Sequence, residues 1–198
     1  MRIYDISQEL LSSAVYPGDP TPTSRLLSSM QEGELYNLTA LSLCAHNGTH
    51  IDAPLHFIKE GNDVASIPLD RCVGYAMVFE CEGDISAEIA TGLVQLSKCE
   101  KNENGVRILI KGNATVTADA ARVFALEGVY LIGTESQSVG PEDSPMEVHK
   151  ILLSSDVVLL EGLRLCSVPE GAYLLAAQPI SISGSDGAPC RAILISLD

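Results

Sequence analysis

The chain predicts an α/β fold in a single domain spanning residues 1–198. Three observations carry this expectation. The length suits one sizeable core, and no linker-like or repetitive tract divides it. Between Tyr75 and Leu160, apolar extended runs alternate with segments of helical spacing. The first half is crowded with extended segments, so a simple doubly wound parallel sheet fits less well than a mixed one.

Taken in order, Arg2–Ser7 reads as an opening strand. Tyr16–Thr23, with three prolines and a glycine, reads as a stiff ordered loop in which several φ angles are preset. Leu38–Ala45 reads as a half-buried strand, with Ala40, Ser42, Cys44 and His46 on one face and Leu41, Leu43 and Ala45 on the other. Asn47-Gly48 turns the chain. Thr49–Asp52 is extended again, placing His50 and Asp52 on one side and Ile51 toward the core. Tyr75–Glu80 and Val106–Ile110 are strands, the second following the polar turn Lys101–Gly105. Ser86–Leu96 is a helix with Ile89, Leu93 and Leu96 in register, interrupted by Thr91-Gly92. Thr117 caps a helix over Ala118–Glu127, Gly128 closes it, and Val129–Ile132 is the next strand. Ser144-Pro145-Met146-Glu147 forms a capping box that starts a helix from Pro145 to Leu153, and Val157–Leu160 is apolar enough for a strand buried on both faces.

Composition narrows the function. Twelve Lys and Arg against 26 Asp and Glu give a formal charge of -14, a surface that repels phosphate backbones and anionic lipid. Nucleic acid and membrane are therefore not expected partners. No apolar run approaches the roughly 18 residues that cross a bilayer, and the first residues lack the apolar core of a signal peptide, so a soluble cytoplasmic protein is expected. The six cysteines, at 44, 72, 81, 99, 166 and 190, form no CxxC pair and are expected to be mostly buried thiols.

Chemistry concentrates in Ala45–Phe57, AHNGTHIDAPLHF, which holds three of the four histidines. His46, His50, Asp52 and His56 are the donor types that hold zinc or manganese. A helix is a poor reading of their spacing, because glycine and proline each weaken it, by about 1 and 3 kcal/mol. The fourth histidine, His149, lies on the helix that starts at Pro145; such a residue is most often a hydrogen-bonded core histidine. Glu161 ends the buried strand, where an ionised carboxylate requires either a metal or an arginine, and Arg164 and Arg191 are the available arginines.

The run His46-x-Gly48-Thr49-His50-x-Asp52-x-Pro54-x-His56 resembles, position for position, the HxGTHxDxPxH signature of the cyclase family of metal-dependent hydrolases, which includes bacterial kynurenine formamidases and isatin hydrolases. Tyr16-Pro17-Gly18-Asp19-Pro20, His149 and Leu160-Glu161-Gly162-Leu163 follow the family's order. The resemblance implies a swivelling β/β/α architecture with a mixed central sheet and homodimers or larger assemblies. It also implies one or two divalent ions, Zn2+ or Mn2+, held by His46, His50, Asp52, His149 and Glu161, with Asp52 bridging and His56 left as the catalytic proton donor and acceptor. Tyr16 would touch substrate, at a position where the formamidases carry tryptophan; this chain has no tryptophan. The implied activity is hydrolysis of a small-molecule C–N amide bond, N-formylkynurenine to kynurenine and formate in the first place. A cyclic amide such as isatin, or metal and small-molecule binding without turnover, are the alternatives.

Overall fold

The computed structural model describes residues 1–98 and 105–196; Cys99 and most of the turn expected at Lys101–Gly105 lie outside the described residues. Strands β1 (Arg2–Asp5), β2 (Thr23–Ser28), β3 (Leu38–Ser42) and β4 (His50–Asp52) precede a one-turn helix α1 (Leu69–Cys72). There follow β5 (Val73–Glu80), β6 (Gly83–Ile85), α2 (Ala87–Ser97), β7 (Arg107–Lys111), β8 (Ala114–Val116), α3 (Ala118–Leu126) and β9 (Leu131–Thr134). The chain continues through α4 (Met146–Leu153), β10 (Val158–Glu161), β11 (Gly171–Ala176), β12 (Gly187–Pro189) and β13 (Ile193–Ser196).

Nine strands form one mixed sheet in the order β1-β13-β11-β5-β7-β9-β10-β4-β12. The central strands β5, β7, β9 and β10 are parallel, since a helix carries the chain back between each consecutive pair. The sheet's remaining strands flank them antiparallel on both sides. Helices α2, α3 and α4 cover one face: Leu93 and Val94, Ala121 and Phe124, and Val148 and Leu152 pack onto Ile108, Ile110, Ile132 and Leu159. On the opposite face Leu109, Leu131 and Leu160 meet Ile51 and Ala188 from one end of the sheet and Leu175 and Leu194 from the other. Side chains from both ends share that core because the sheet curls over it.

Several local expectations are corrected. The strand read at Leu38–Ala45 ends at Ser42, pairs only with β2 outside the main sheet, and is largely exposed. His46 therefore lies in the following turn and does not cap a strand face. In α2 the buried residues are Ala90, Leu93, Val94 and Ser97, whereas Ile89 and Leu96 face outward. Thr91-Gly92 does not interrupt that helix, and Ser86 caps it through Ile89 N. The capping box at α4 does not close: Ser144 Oγ turns to Asp143, and Glu147 pairs with Arg122. α3 is capped as expected, with Thr117 accepting from Ala120 N and Gly128 in the left-handed region at φ 65°. The described cysteines are all free thiols, but only Cys72 is fully buried and Cys166 is exposed.

Candidate metal centre

β4 and β10 place the central side chains. In their antiparallel register His50 opposes Glu161 and Asp52 opposes Leu159, so His50, Asp52 and Glu161 project to one face while Ile51 and Leu160 enter the core behind. That shared face is the helical one, where α4 presents His149. The turn from Cys44 to Thr49 brings in His46. Asn47, fully buried, accepts from Cys44 N at 2.7 Å and donates to Pro20 O at 3.2 Å, tying the turn to the proline-rich loop. Thr49 Oγ1 accepts from Gln8 N and donates to Gly162 O. Gly162 is required at the end of β10, since its φ is 69° and a Cβ there would lie 2.3 Å from Gly48 O.

The resulting cluster is dense in charge. His46 Nδ1 lies 2.8 Å from Asp52 Oδ1, and His50 Nε2 lies 3.4 Å from both Asp52 Oδ1 and Glu161 Oε2. His149 Nε2 lies 3.3 Å from Glu161 Oε1 and 3.6 Å from Asp52 Oδ2. Asp52, Glu161, His50 and His149 are all buried. Burial pulls His46 and His50 down, but Asp52, joined at His50 by Glu161, outweighs it and pushes them up to about 9 and about 10. His149 is likewise raised against burial, by Glu161 and Asp52. Burial opposes ionisation of Asp52, yet His46 and His50 hold it well below the usual carboxylate range. Burial and the Asp52 charge oppose Glu161, and His149 and His50 lower it. These anionic oxygens demand cationic partners.

The arrangement fits a divalent ion as well as protons. His50 Nδ1 donates to Gly48 O at 3.0 Å and His149 Nδ1 donates to Pro145 O at 2.8 Å; carbonyls only accept, so both Nε2 lone pairs point at carboxylates. Lone pairs facing carboxylate oxygens repel unless a proton or a cation lies between them. Asp52 Oδ2 is buried and has no hydrogen-bond partner among the described residues. Three ligand sets each converge within 4.8 Å among the described residues: His46–His50–Asp52 and Asp52–His149–Glu161, which share the buried Asp52, and the half-buried His46–His56–Asp186. Nitrogen and oxygen donors without thiolate suit zinc or manganese. The arginine alternative for Glu161 falls away, as Arg164 bonds Leu163 O and Gln8 while Arg191 pairs with Asp5. Glu161 Oε1 instead accepts from Val139 N at 2.7 Å.

His56 stands beside this cluster without joining its carboxylate pair. It ends the one-turn 3₁₀ segment Pro54–His56, stacks near His46 with ring centroids 4.1 Å apart, and is flanked by Phe57 at 4.4 Å. Its Nδ1 lies 3.1 Å from Oδ2 of Asp186, which also lies 2.9 Å from His46 Nε2. A cavity of about 220 Å³ opens onto these groups, lined by Tyr16, Asp19, Phe57, Gln137 and Ser138 besides the histidines and Glu161. Tyr16 forms part of its wall and ties the proline-rich loop to the segment before α4 by donating from Oη to Glu142 O at 2.7 Å. A larger cleft of about 650 Å³ between β1 and the Gln178–Arg191 segment holds none of the histidines. Sequence reasoning missed Asp186, Phe57 and Gln137. Asp186 carried only the weak signal of an acid in a glycine-rich turn, whereas Phe57 directly follows the histidine run. Cys44 takes no part in the cluster; its Sγ lies 3.9 Å from Asp19.

Residues 4–141 match the family model described as "Putative cyclase". A kynurenine formamidase of Erythrobacter litoralis is 36% identical over 210 aligned positions, covering 99% of this chain and 94% of its own. A second, of Salinibacter ruber, is 35% identical and covers 98% and 97%. Among solved structures, isatin hydrolase A of Labrenzia aggregata superposes with a TM-score of 0.82 at 21% identity, covering 98% of this chain and 93% of its own, a likeness of fold. No helix among the described residues is long and apolar enough to cross a membrane. With the signature run, the sheet order and these matches in hand, the chain belongs to the cyclase family, together with the kynurenine formamidases to which it is similar along nearly its whole length.

Proposed function

We propose that residues 1–198 act as one metal-dependent hydrolase domain that cleaves a C–N amide bond of a small molecule, arylformamidase-fashion, converting N-formylkynurenine to kynurenine and formate. The observation that carries this reading is the buried Asp52, shared by two imidazole and carboxylate sets and left with one unpartnered oxygen. His46, His50 and Asp52 would hold one divalent ion, and Asp52, His149 and Glu161 a second, zinc or manganese by donor chemistry. Such an ion supplies a water acidic enough to ionise near neutral pH and a Lewis acid for the amide carbonyl.

The chain's own residues do the rest. His56 belongs to neither of the two sets that share the buried Asp52, only to the half-buried one with His46 and Asp186, which leaves it to give a proton to the departing nitrogen, otherwise a poor leaving group. Phe57 and Tyr16 wall the cavity beside His56, excluding water and receiving the flat part of the substrate. The cavity's size restricts it to small molecules. A cyclic amide is the second substrate class, since Tyr16 stands where the formamidases carry tryptophan and the aromatic specificity need not be theirs. The free thiols fit a reducing cytoplasm. The exposed Leu26, Leu27, Leu38 and Leu41 of the β2–β3 hairpin form the surface through which we expect the chain to make a homodimer.

The test is formate release from N-formylkynurenine, and ring opening of isatin in parallel, by zinc- or manganese-loaded protein before and after chelation. Release that stops on chelation and returns with metal is the expected result. Protein that retains metal but turns over neither substrate would reduce the site to a binding role.

A further inference from the structure

We infer that Asp186 is a positioning residue that selects the tautomers of His46 and His56 together, and so decides which nitrogen of each is available for chemistry. This rests on the metal-dependent reading above. Asp186 is held by the sheet: Gly187 pairs with Asp52 across β12 and β4, and Ala53 N donates to Asp186 O at 2.9 Å. Gly187 leaves the room the contact needs, since a Cβ there would lie 2.8 Å from His46 Cε1. The His46 ring thus lies against this backbone and reaches the preceding carboxylate.

One oxygen, Asp186 Oδ2, meets His46 Nε2 at 2.9 Å and His56 Nδ1 at 3.1 Å. A carboxylate oxygen only accepts, so both nitrogens carry hydrogen. His46 Nδ1 faces Asp52 Oδ1 at 2.8 Å and so carries hydrogen as well while no ion is bound; an ion in the cluster would take the place of this inner proton, while Asp186 holds the outer one. His50 and His149, whose Nδ1 atoms donate to backbone carbonyls, offer Nε2 instead. His56, with hydrogen held on Nδ1, keeps Nε2 as its proton-exchanging atom. Carboxylates that orient a metal-binding histidine in this way are common; here one carboxylate serves a ligand and its catalytic neighbour at once.

The chain's four histidines make the assignment tractable by long-range 1H–15N correlation spectra of the full-length, zinc-loaded protein labelled with 15N-histidine. The expected pattern is zinc on Nδ1 of His46 and on Nε2 of His50 and His149, with His56 protonated on Nδ1. In Asp186→Ala, His56 should become a mixture of tautomers and kcat should fall while KM changes less than about twofold. Zinc affinity should weaken by about 10- to 100-fold, the usual cost of losing such a partner. Asp186→Asn, which retains one acceptor oxygen, should restore part of kcat. Zinc bound through Nε2 of His46, zinc bound directly by Asp186, or a His56 tautomer unchanged in Asp186→Ala would each overturn the inference and leave the metal-dependent reading standing. Failure to take up zinc at all would overturn both.

Discussion

Replacing Glu161 by Gln separates metal binding from folding. The buried carboxylate contacts His50 through Oε2 at 3.4 Å and His149 through Oε1 at 3.3 Å, and Oε1 also accepts from Val139 N. A glutamine of the same shape keeps an acceptor for Val139 N; without the carboxylate that helped raise it, His50 gives up its Nε2 proton more readily and can accept from the new NH2, since its Nδ1 hydrogen is held by Gly48 O. The metal-free fold therefore exchanges a charge-assisted hydrogen bond for a neutral one, and its stability should fall by about 1 kcal/mol. For a protein of this size that is a shift in Tm of about 2–4 °C at most. Metal binding loses a charged ligand at a buried site. Removing one partner of a buried ionic group costs about 3–5 kcal/mol, so the dissociation constant should rise by at least about a hundredfold. Chelator competition would measure the affinity, and thermal unfolding of chelated protein the stability. Affinity within tenfold of the parent chain, or a metal-free Tm lowered by much more than 4 °C, would refute the reasoning.

Other expectations follow from the same geometry. His56→Ala should retain metal and lose about 10²- to 10⁴-fold in kcat, the usual contribution of a positioned proton donor; undiminished turnover would remove His56 from the mechanism. In chelated protein, His46 and His50 titrate near 9 and 10, above their ordinary 6.5, so their protonation stabilises the fold fully below about pH 6.5. That stability is lost as pH rises through those values. Burial pushes the Cys72 and Cys190 thiols up to about 12, which acts in the same direction above the ordinary thiol range. Because metal displaces the imidazole protons but not the thiol protons, melts from pH 6.5 to 10 should fall more steeply without metal than with it; parallel curves would contradict the assignment. Leu26→Glu with Leu41→Glu, on the exposed hairpin, should convert a dimer to monomer in sedimentation without loss of metal; an unchanged sedimentation coefficient would move the interface elsewhere.

Local chemistry was enough to locate most of the centre. The period-two spacing of His50 and Asp52 placed both on one side of β4 with Ile51 behind them, and the turn residues Asn47-Gly48 follow directly from their preferences. The Thr117 cap and the doubly buried β10 were equally legible, since each depends on neighbours within a few residues. Where several local solutions were open, packing chose. Ile89 and Leu96 match a helical stripe, but α3 and the sheet meet the face carrying Ala90, Leu93, Val94 and Ser97. The Ser144 capping box read from the sequence does not form, because Ser144 Oγ turns to Asp143 and Glu147 finds Arg122 on the neighbouring helix.

Sheet order was beyond reach of any such rule, and with it the pairing of His50 with Glu161 and the arrival of Asp186 at His46, 140 residues earlier in the chain. Spacing, capping and turn preferences act over one turn or one hairpin; they singled out His46, His50, Asp52 and His56 as candidate donors and left His149 and Glu161 open. Which carboxylate meets which imidazole, and through which nitrogen, was decided by the tertiary structure: the sheet carries β12 and β4 to the same edge as β10, which brings Asp186, Asp52 and Glu161 to the histidines, while backbone carbonyls take the Nδ1 hydrogens of His50 and His149.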